Sequence, residues 1–191
     1  MSMIPDKPPF KLLDILYKKE FILFVVLITI LIINSNLTPY FLDLYNLIDS
    51  TFLFSEKAII ALTMTFVIIA RQIDLSVASI IAVSSVVLGY TTSLGYDTWL
   101  VISLTLLSGA LCGAFNGAII TKFAIPSIIV TIGTMSLFRG LAYSFLEDSY
   151  YNKFPKIVSN LGSGYLFGYI PYAFLTFILL ALVFAFILHK T

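Results

Sequence analysis

The sequence predicts an all-α polytopic membrane protein with about six transmembrane helices and with both its N-terminus and its C-terminus in the cytoplasm. Composition is the first observation: 60% of the 191 residues are hydrophobic, against about 45–50% in a soluble domain. The 11 basic and 10 acidic side chains are too few to cover a compact globule of this size. Six apolar windows and an uneven distribution of lysine and arginine are the other two observations.

Each apolar window approaches the length of about 20 residues that a helix needs to cross about 30 Å of hydrocarbon. The second window is the weakest, because Glu56 and Lys57 lie near its start. The segment before it, residues 34–51, has the composition of a membrane interface and could hold a short surface helix. The six windows are residues 17–36, 52–70, 76–92, 98–121, 124–146 and 166–188.

Lysine and arginine set the predicted orientation. The first window ends in INSNLTPY, which lacks the cleavage pattern of a signal peptide, so we interpret this window as an uncleaved span. With the N-terminus inside, seven basic residues fall on the cytoplasmic side, three fall outside and Arg139 lies within the fifth window. This asymmetry follows the positive-inside rule. The cytoplasmic residues are Lys7, Lys11, Lys18, Lys19, Arg71, Lys122 and Lys190, and the external ones are Lys57, Lys153 and Lys156.

Two opposite charges, Arg71 and Asp74, lie in the run ARQIDLSVAS between the second and third windows. A cation is favoured at a cytoplasmic helix end, and Asp74 stands where an N-cap is expected. These structural roles explain both charges, but they do not explain Ser76 and Ser79. A functional turn is therefore the alternative interpretation.

The fourth window carries Gly109, Gly113 and Gly117 at spacings of four, so the glycines share one helix face. Small residues at this spacing allow close helix packing in lipid. Asn116 adjoins this face, and an amide facing lipid is costly. Asn116 is predicted either to hydrogen-bond another helix or to face a polar cavity.

The fifth window opens with Pro126, which suits the first turn of a helix. Hydroxyl side chains then share one face, and they either bond to their own helix or line a polar path. Arg139 either extends to the outer interface or serves a polar cavity. The hydroxyl residues are Ser127, Thr131 and Thr134, and a second predicted packing face carries Gly133 and Gly140.

The sequence contains no set of residues that would predict an enzyme. Zinc-binding HExxH, nucleophilic GxSxG, CxxC and phosphate-binding GxxxxGK[ST] motifs are all absent, and the single histidine is His189. No metal site and no cofactor are predicted. The scattered basic residues do not form the stripe that nucleic-acid binding requires. Cys112, the single cysteine, is expected to be a small apolar residue.

Two segments together resemble the permease subunits of ribose-type sugar ABC importers. IDLSVAS is similar to the family's GGIDLSVGS-like turn, and GAFNGAIITKFAIPSIIVTIGTMSLFRGLA is similar to its NG and IPPFIVTLGTM…RG segments. Arg71, Gln72 and Ala78 replace glycines of the family pattern, and Ser127 and Ile128 stand in its Pro-Phe positions. The polar pair is more similar to the rhamnose and autoinducer-2 branches.

This resemblance implies a multi-pass protein of the bacterial inner membrane that imports a sugar. The implied partners are a second permease subunit in a homodimer or heterodimer, cytoplasmic ATP-binding subunits that use the ATP, an extracytoplasmic solute-binding protein and membrane lipid. Family members continue for about as much chain again, so residues 1–191 are expected to be a single transmembrane domain that forms an N-terminal portion. Residues expected in the translocation pathway or at a hinge are Asp74, Ser76, Ser79, Asn116, Thr131, Thr134 and Arg139.

Two other functions fit parts of the sequence. Half of an ion-coupled secondary transporter would form one structural repeat, although this chain places no ionisable residue at the centre of a span. A non-transporting membrane scaffold would explain the glycine faces, although it would not need the polar turn at residues 73–79. Transport driven by an ion gradient without ATP would favour the first of these alternatives.

Overall fold

The computed structural model describes residues 19–147 and 150–190. These residues form helices joined by short links, with one small β hairpin. The helices are α1 (Lys19–Leu37), α2 (Leu44–Ile69), α3 (Val77–Ser93), α4 (Thr98–Phe123), α5 (Ser127–Leu146), α6 (Lys156–Ser163) and α7 (Tyr172–Lys190). The strands are β1 (Tyr165–Leu166) and β2 (Ile170–Pro171).

Among the described residues, five helices are long and apolar enough to cross a membrane: α1, α2, α4, α5 and α7. Helix α3 is apolar but has 17 residues, which is about 26 Å at 1.5 Å per residue. Every predicted window thus contains one helix, although residues 17 and 18 of the first window lie outside the described residues. The chain is an all-α polytopic membrane protein, as predicted.

Helix α2 begins earlier than the second window. It runs without a break from Leu44 to Ile69, so the separate surface helix that residues 34–51 could have held is the first part of α2. Residues 44–69 contain no proline or glycine that would end a helix. Glu56 and Lys57 are exposed on this helix. Their charges lower the hydropathy of the second window, but they do not interrupt the helix.

The sixth window also differs at its start, because residues 165–171 form the β hairpin. Tyr165 pairs with Pro171 and Leu166 with Ile170. Phe167 and Gly168, at the turn, have φ values of +53° and +78°. These left-handed conformations reverse the chain before α7 begins at Tyr172.

The chain divides after Ser50 into two compact units. The first contains α1 and the beginning of α2, and the second contains the rest of α2 and all later elements. In the second unit, α3 packs against both α4 and α5. Val101 of α4 and Phe138 of α5 are buried there. The rings of Phe66 in α2 and Phe184 in α7 meet edge to face with centroids 4.9 Å apart.

Gly89 fixes the segment after α5 against α3. It is buried, and a Cβ atom at this position would lie 2.5 Å from Cδ2 of Tyr151. A real Cβ atom does not approach another carbon this closely, so the aromatic ring requires glycine beneath it. Sequence reasoning did not single out Gly89, because the tyrosine that covers it is 62 residues away in the chain.

Replacing Gly89 with alanine is expected to destabilise the chain by about 1–3 kcal/mol, because the new methyl group displaces the Tyr151 ring. Thermal unfolding of the detergent-solubilised protein measures the loss. Gly113→Ala is the matched control, since a Cβ atom there would meet no atom within 4 Å. The double variant Gly89→Ala with Tyr151→Ala should lose less stability than the sum of the single variants. Strict additivity would contradict the contact.

Candidate functional site

The link between α2 and α3 begins with a left-handed turn at Arg71, whose φ is +56°. The Arg71 N–H donates to the Ile68 carbonyl at 2.9 Å, and the Gln72 N–H donates to the Val67 carbonyl at 3.0 Å. These two bonds form a Schellman C-cap, in which the left-handed residue is usually glycine. A side chain at this position costs about 1–2 kcal/mol. Arg71 therefore ends α2 in a conformation that the glycine of the resembling family would adopt without strain.

Asp74 lies two residues before the N-cap of α3, so its predicted N-cap role is wrong. Helix α3 begins at Val77 with Ser76 as its N-cap residue. The Ser76 N–H and the Ser76 hydroxyl both donate to Asp74 Oδ1, at 2.8 Å and 2.6 Å. A carboxylate that accepts from its own backbone two residues further on forms an Asx turn. Asp74 thereby shapes the entry into the helix without occupying the cap.

The serine connects this turn to α4. The Asn116 Nδ2 group donates to Ser76 Oγ at 2.8 Å, across 40 residues of sequence. Ser76 has no exposed surface and Asn116 is 4% exposed. Asp74, Ser76 and Asn116 thus form one chain of hydrogen bonds, here called the polar triad. The Asn116 amide nitrogen thus bonds the residue that precedes α3.

The same turn is held from its other side by α5. The Ile73 N–H donates to Ser127 Oγ at 3.0 Å. The Thr131 hydroxyl lies 2.8 Å from the Ser127 carbonyl and 3.3 Å from the Ile73 carbonyl. The hydroxyl face therefore bonds to its own helix and also reaches the turn. Pro126 is the residue before the first turn of α5 and not within it.

The amide oxygen of Asn116 has no hydrogen-bond partner within the described part of the chain, although it is buried. The direction of the triad fixes which amide atom this is. A carboxylate only accepts hydrogen bonds. The Ser76 hydroxyl therefore uses its one O–H donor for Asp74, and it can only accept a hydrogen bond from Asn116. A buried acceptor without a donor costs about 1–3 kcal/mol. The arrangement is therefore suited to a donor group that the described chain does not supply.

A cavity of about 330 Å³, here called the turn cavity, lies beside the polar triad. Asp74 and Asn116 line it, and no basic residue of the described part of the chain does so. Gly113 and Gly117 border it with open space where a Cβ atom would stand. The other lining residues are Phe66, Val67, Ala70, Gln72, Ile73, Ile120, Ser127 and Thr131. The cavity thus combines hydrogen-bond acceptors with apolar walls.

Four of the predicted pathway residues do not line the turn cavity: Ser76, which belongs to the polar triad beside it, and Ser79, Thr134 and Arg139. Ser79 has no exposed surface and donates to the Ser76 carbonyl at 2.7 Å. Thr134 is buried further along α5, with its hydroxyl 3.4 Å from the Thr131 carbonyl. Arg139 lines a separate cavity. The structure therefore brings together Asp74, Ser76, Asn116 and Thr131 around the turn. A role in the translocation pathway or at a hinge stays a prediction for all seven residues.

The predicted packing glycines differ in their surroundings. A Cβ atom at Gly109 would lie 3.2 Å from Ser84 Oγ of α3, which is a close helix approach. At Gly113, Gly117, Gly133 and Gly140 a Cβ atom would meet no atom of the described chain within 4 Å. Packing at these four glycines would need a surface that the described residues do not provide, so it stays a prediction.

Sequence reasoning missed the main-chain contribution of Ile73 and the position of Gln72 in the cavity wall. The sequence does contain a signal for these backbone contacts. Residues 72–76 lie between two helices, so their N–H and C=O groups need partners from elsewhere. The hydroxyls of α5 supply two of these contacts.

Comparison with known proteins identifies the family. A family model described as "Branched-chain amino acid transport system / permease component" matches residues 46–191. The autoinducer 2 import system permease protein LsrD of Klebsiella pneumoniae is 40% identical over 63% of this chain and 36% of its own length. The ribose import permease protein RbsC of Haemophilus influenzae is 32% identical over 76% of this chain and 46% of its own length.

A third relative, the autoinducer 2 import system permease protein LsrC of Photorhabdus laumondii, is 33% identical over 86% of this chain and 50% of its own length. The chain thus spans half or less of the length of these curated relatives. No solved structure matches it. The resemblance to ribose-type and autoinducer-2-type permeases is confirmed. The chain belongs to the family of branched-chain amino acid transport system permease components.

Proposed function

We propose that this chain supplies membrane-spanning helices to an ATP-driven importer that moves a sugar or sugar-like solute across the bacterial cytoplasmic membrane. The observation that carries the proposal is the Asn116 amide oxygen, which is buried beside the turn cavity and has no hydrogen-bond partner among the residues that the structure describes. Family membership supports it. Relatives named for the import of ribose and of autoinducer 2 support the solute class.

The chemistry of the turn cavity favours a neutral, hydroxyl-rich solute. Hydroxyl groups can donate to Asn116 Oδ1 and to the Asp74 carboxylate, which are both acceptors. Phe66 and Val67 offer an apolar wall to the C–H face of a sugar ring. An anion would meet the Asp74 charge without a compensating cation among the described lining residues.

The polar triad gives the importer a means of coupling solute position to helix position. Asp74 and Ser76 belong to the α2–α3 link, Asn116 belongs to α4, and Ser127 joins the same link to α5. A solute hydroxyl that competes for one of these bonds would change the contacts between three elements at once. Alternating access needs elements that have two such arrangements.

The remaining machinery lies on partner chains in this proposal. These partners are a second permease subunit, cytoplasmic ATP-binding subunits and an extracytoplasmic solute-binding protein. ATP hydrolysis belongs to the ATP-binding subunits. With both termini in the cytoplasm, the turn cavity lies towards the cytoplasmic side, because Arg71 and Lys122 are on that side in the predicted orientation.

Reconstitution of the importer with its partners in vesicles tests the proposal. Uptake of labelled sugars and sugar-like solutes is expected to require ATP and to continue after ionophores abolish the ion gradients. Uptake that proceeds without ATP and stops with the ionophores would instead identify an ion-coupled transporter. If the chain assembles with its partners but none of the tested solutes is taken up, a membrane scaffold would be favoured.

A further inference from the structure

A second cavity, of about 490 Å³, lies beside the C-terminal half of α5, away from the turn cavity. It is here called the Arg139 cavity. Arg139 and Tyr143 of α5, Tyr150, Tyr151 and Phe154 of the following segment, and Ser85 of α3 contribute to its wall. Tyr151 is fixed by its contact with Gly89. The cavity therefore combines one cation with several aromatic rings and hydroxyl groups.

Each polar side chain of this cavity can donate a hydrogen bond. The Arg139 guanidinium has five N–H donors and no acceptor, and each tyrosine hydroxyl can donate once. Among the residues that the structure describes, no aspartate or glutamate lines this cavity. Within residues 19–147 and 150–190, no hydrogen bond or ion pair is formed by the guanidinium. The turn cavity offers acceptors, whereas the Arg139 cavity offers donors and a positive charge.

The position of Arg139 within α5 means that an anionic partner would stabilise its charge. Arg139 follows the start of α5 by 12 residues, which is about 18 Å along a helix of about 30 Å. A cation at this depth is costly unless it pairs with an anion or reaches the interface. Beside it, α5 presents exposed apolar side chains: Leu137, Leu141 and Phe145 are 49%, 43% and 74% exposed. Such a flank suits acyl chains, and tyrosines suit the level of lipid headgroups.

We propose that the Arg139 cavity binds the phosphate group of a membrane lipid. The guanidinium forms two parallel hydrogen bonds to the phosphate oxygens, because its planar fork matches their geometry. Tyr143 and Tyr151 donate further hydrogen bonds, and the acyl chains follow the exposed flank of α5. A free phosphate-bearing solute has the same headgroup chemistry but no acyl chains to contact that apolar flank. This proposal does not depend on transport.

The test uses the full chain in detergent and measures lipid binding by native mass spectrometry. Phosphatidylglycerol is the probe, diacylglycerol without phosphate is the second ligand, and inorganic phosphate is the competitor. Binding of phosphatidylglycerol is expected to weaken about tenfold or more in Arg139→Gln, since a charge-assisted bidentate contact is lost. It should weaken less in Arg139→Lys, which keeps the charge and loses the fork.

Lys153→Gln is the matched control, because Lys153 is an exposed cation of the same segment and does not line the cavity. Its affinity for phosphatidylglycerol should stay within about twofold of the unmodified chain. Tyr143→Phe removes one hydroxyl without changing charge and provides a second variant if Arg139→Gln does not fold. It is expected to bind about threefold more weakly.

Each outcome decides the proposal. Arg139-dependent binding of phosphatidylglycerol that millimolar inorganic phosphate does not displace supports a lipid ligand. If inorganic phosphate displaces phosphatidylglycerol and binds with equal affinity, the ligand is a free phosphate compound and the proposal of a lipid is overturned. Equal binding of diacylglycerol, or equal losses in Arg139→Gln and Lys153→Gln, overturns phosphate recognition by Arg139.

Discussion

Replacing Asp74 with alanine is expected to lower the unfolding free energy of the chain by about 2–4 kcal/mol. The Ser76 N–H and hydroxyl both donate to Asp74 Oδ1, and hydrogen bonds to a charged group contribute about 1.5–3 kcal/mol each at most. Ser76 has no exposed surface, so water does not readily replace the carboxylate. A loss of about 3 kcal/mol corresponds to roughly 6–12 °C in melting temperature for a chain of this size. Circular dichroism of the detergent-solubilised chain measures this shift.

Asp97→Ala is the matched control for Asp74→Ala. Asp97 caps α4, and its carboxylate accepts from the Trp99 N–H at 2.9 Å at an exposed site. Loss of such a cap costs about 1 kcal/mol. Asp74→Asn keeps an acceptor oxygen and should recover most of the stability. Equal melting temperatures for the two alanine variants would mean that the buried serine gains nothing from Asp74.

Replacing Asn116 with alanine is expected to reduce solute uptake by the reconstituted importer about tenfold or more at low solute concentration. The change removes the buried acceptor that we assign to a solute hydroxyl and also the donor to Ser76 Oγ. Loss of a hydrogen bond in a buried site costs about 1–3 kcal/mol, and 1.4 kcal/mol is a factor of ten. Because the acceptor acts on bound solute, KM should rise. The initial uptake rate as a function of solute concentration measures both constants.

Asn160→Ala controls for the loss of an amide side chain, because Asn160 is exposed on α6 and does not line either cavity. It should leave both KM and the maximal rate unchanged. A purely structural role for Asn116 would lower the amount of folded protein while KM stayed at the wild-type value. Wild-type KM at normal abundance would remove Asn116 from the solute path.

The helices were largely predictable because length and apolar composition are local properties. Each of the six windows holds a helix. The start of α2 was not predictable in the same way, because Tyr45, Asn46 and Asp49 fit both an interfacial link and a helix that extends beyond the hydrocarbon. Hydropathy indicates which residues tolerate lipid, but it does not indicate where the helical backbone hydrogen bonds begin.

The candidate site was predictable in its residues and not in its connections. Asp74, Ser76 and Asn116 stood out because polar groups in apolar spans need partners. Their mutual hydrogen bonds depend on how α3 and α4 pack, which no local pattern contains. For the same reason, the sequence did not predict that Arg139 lines a different cavity from Asp74 and Asn116. Its distance from the turn along α5 decides which cavity it lines.

The left-handed backbone at Arg71 has a mechanical consequence. Glycine at such a joint moves among wide regions of φ and ψ on both sides of zero, whereas a residue with a Cβ atom has only one small well at positive φ. Arg71 sits in that well with φ of +56°. Small rotations at the joint between α2 and α3 are therefore restricted while Arg71 keeps its positive φ. In the proposed transport cycle, a large rotation there would have to move Arg71 out of the left-handed region and break the two C-cap hydrogen bonds.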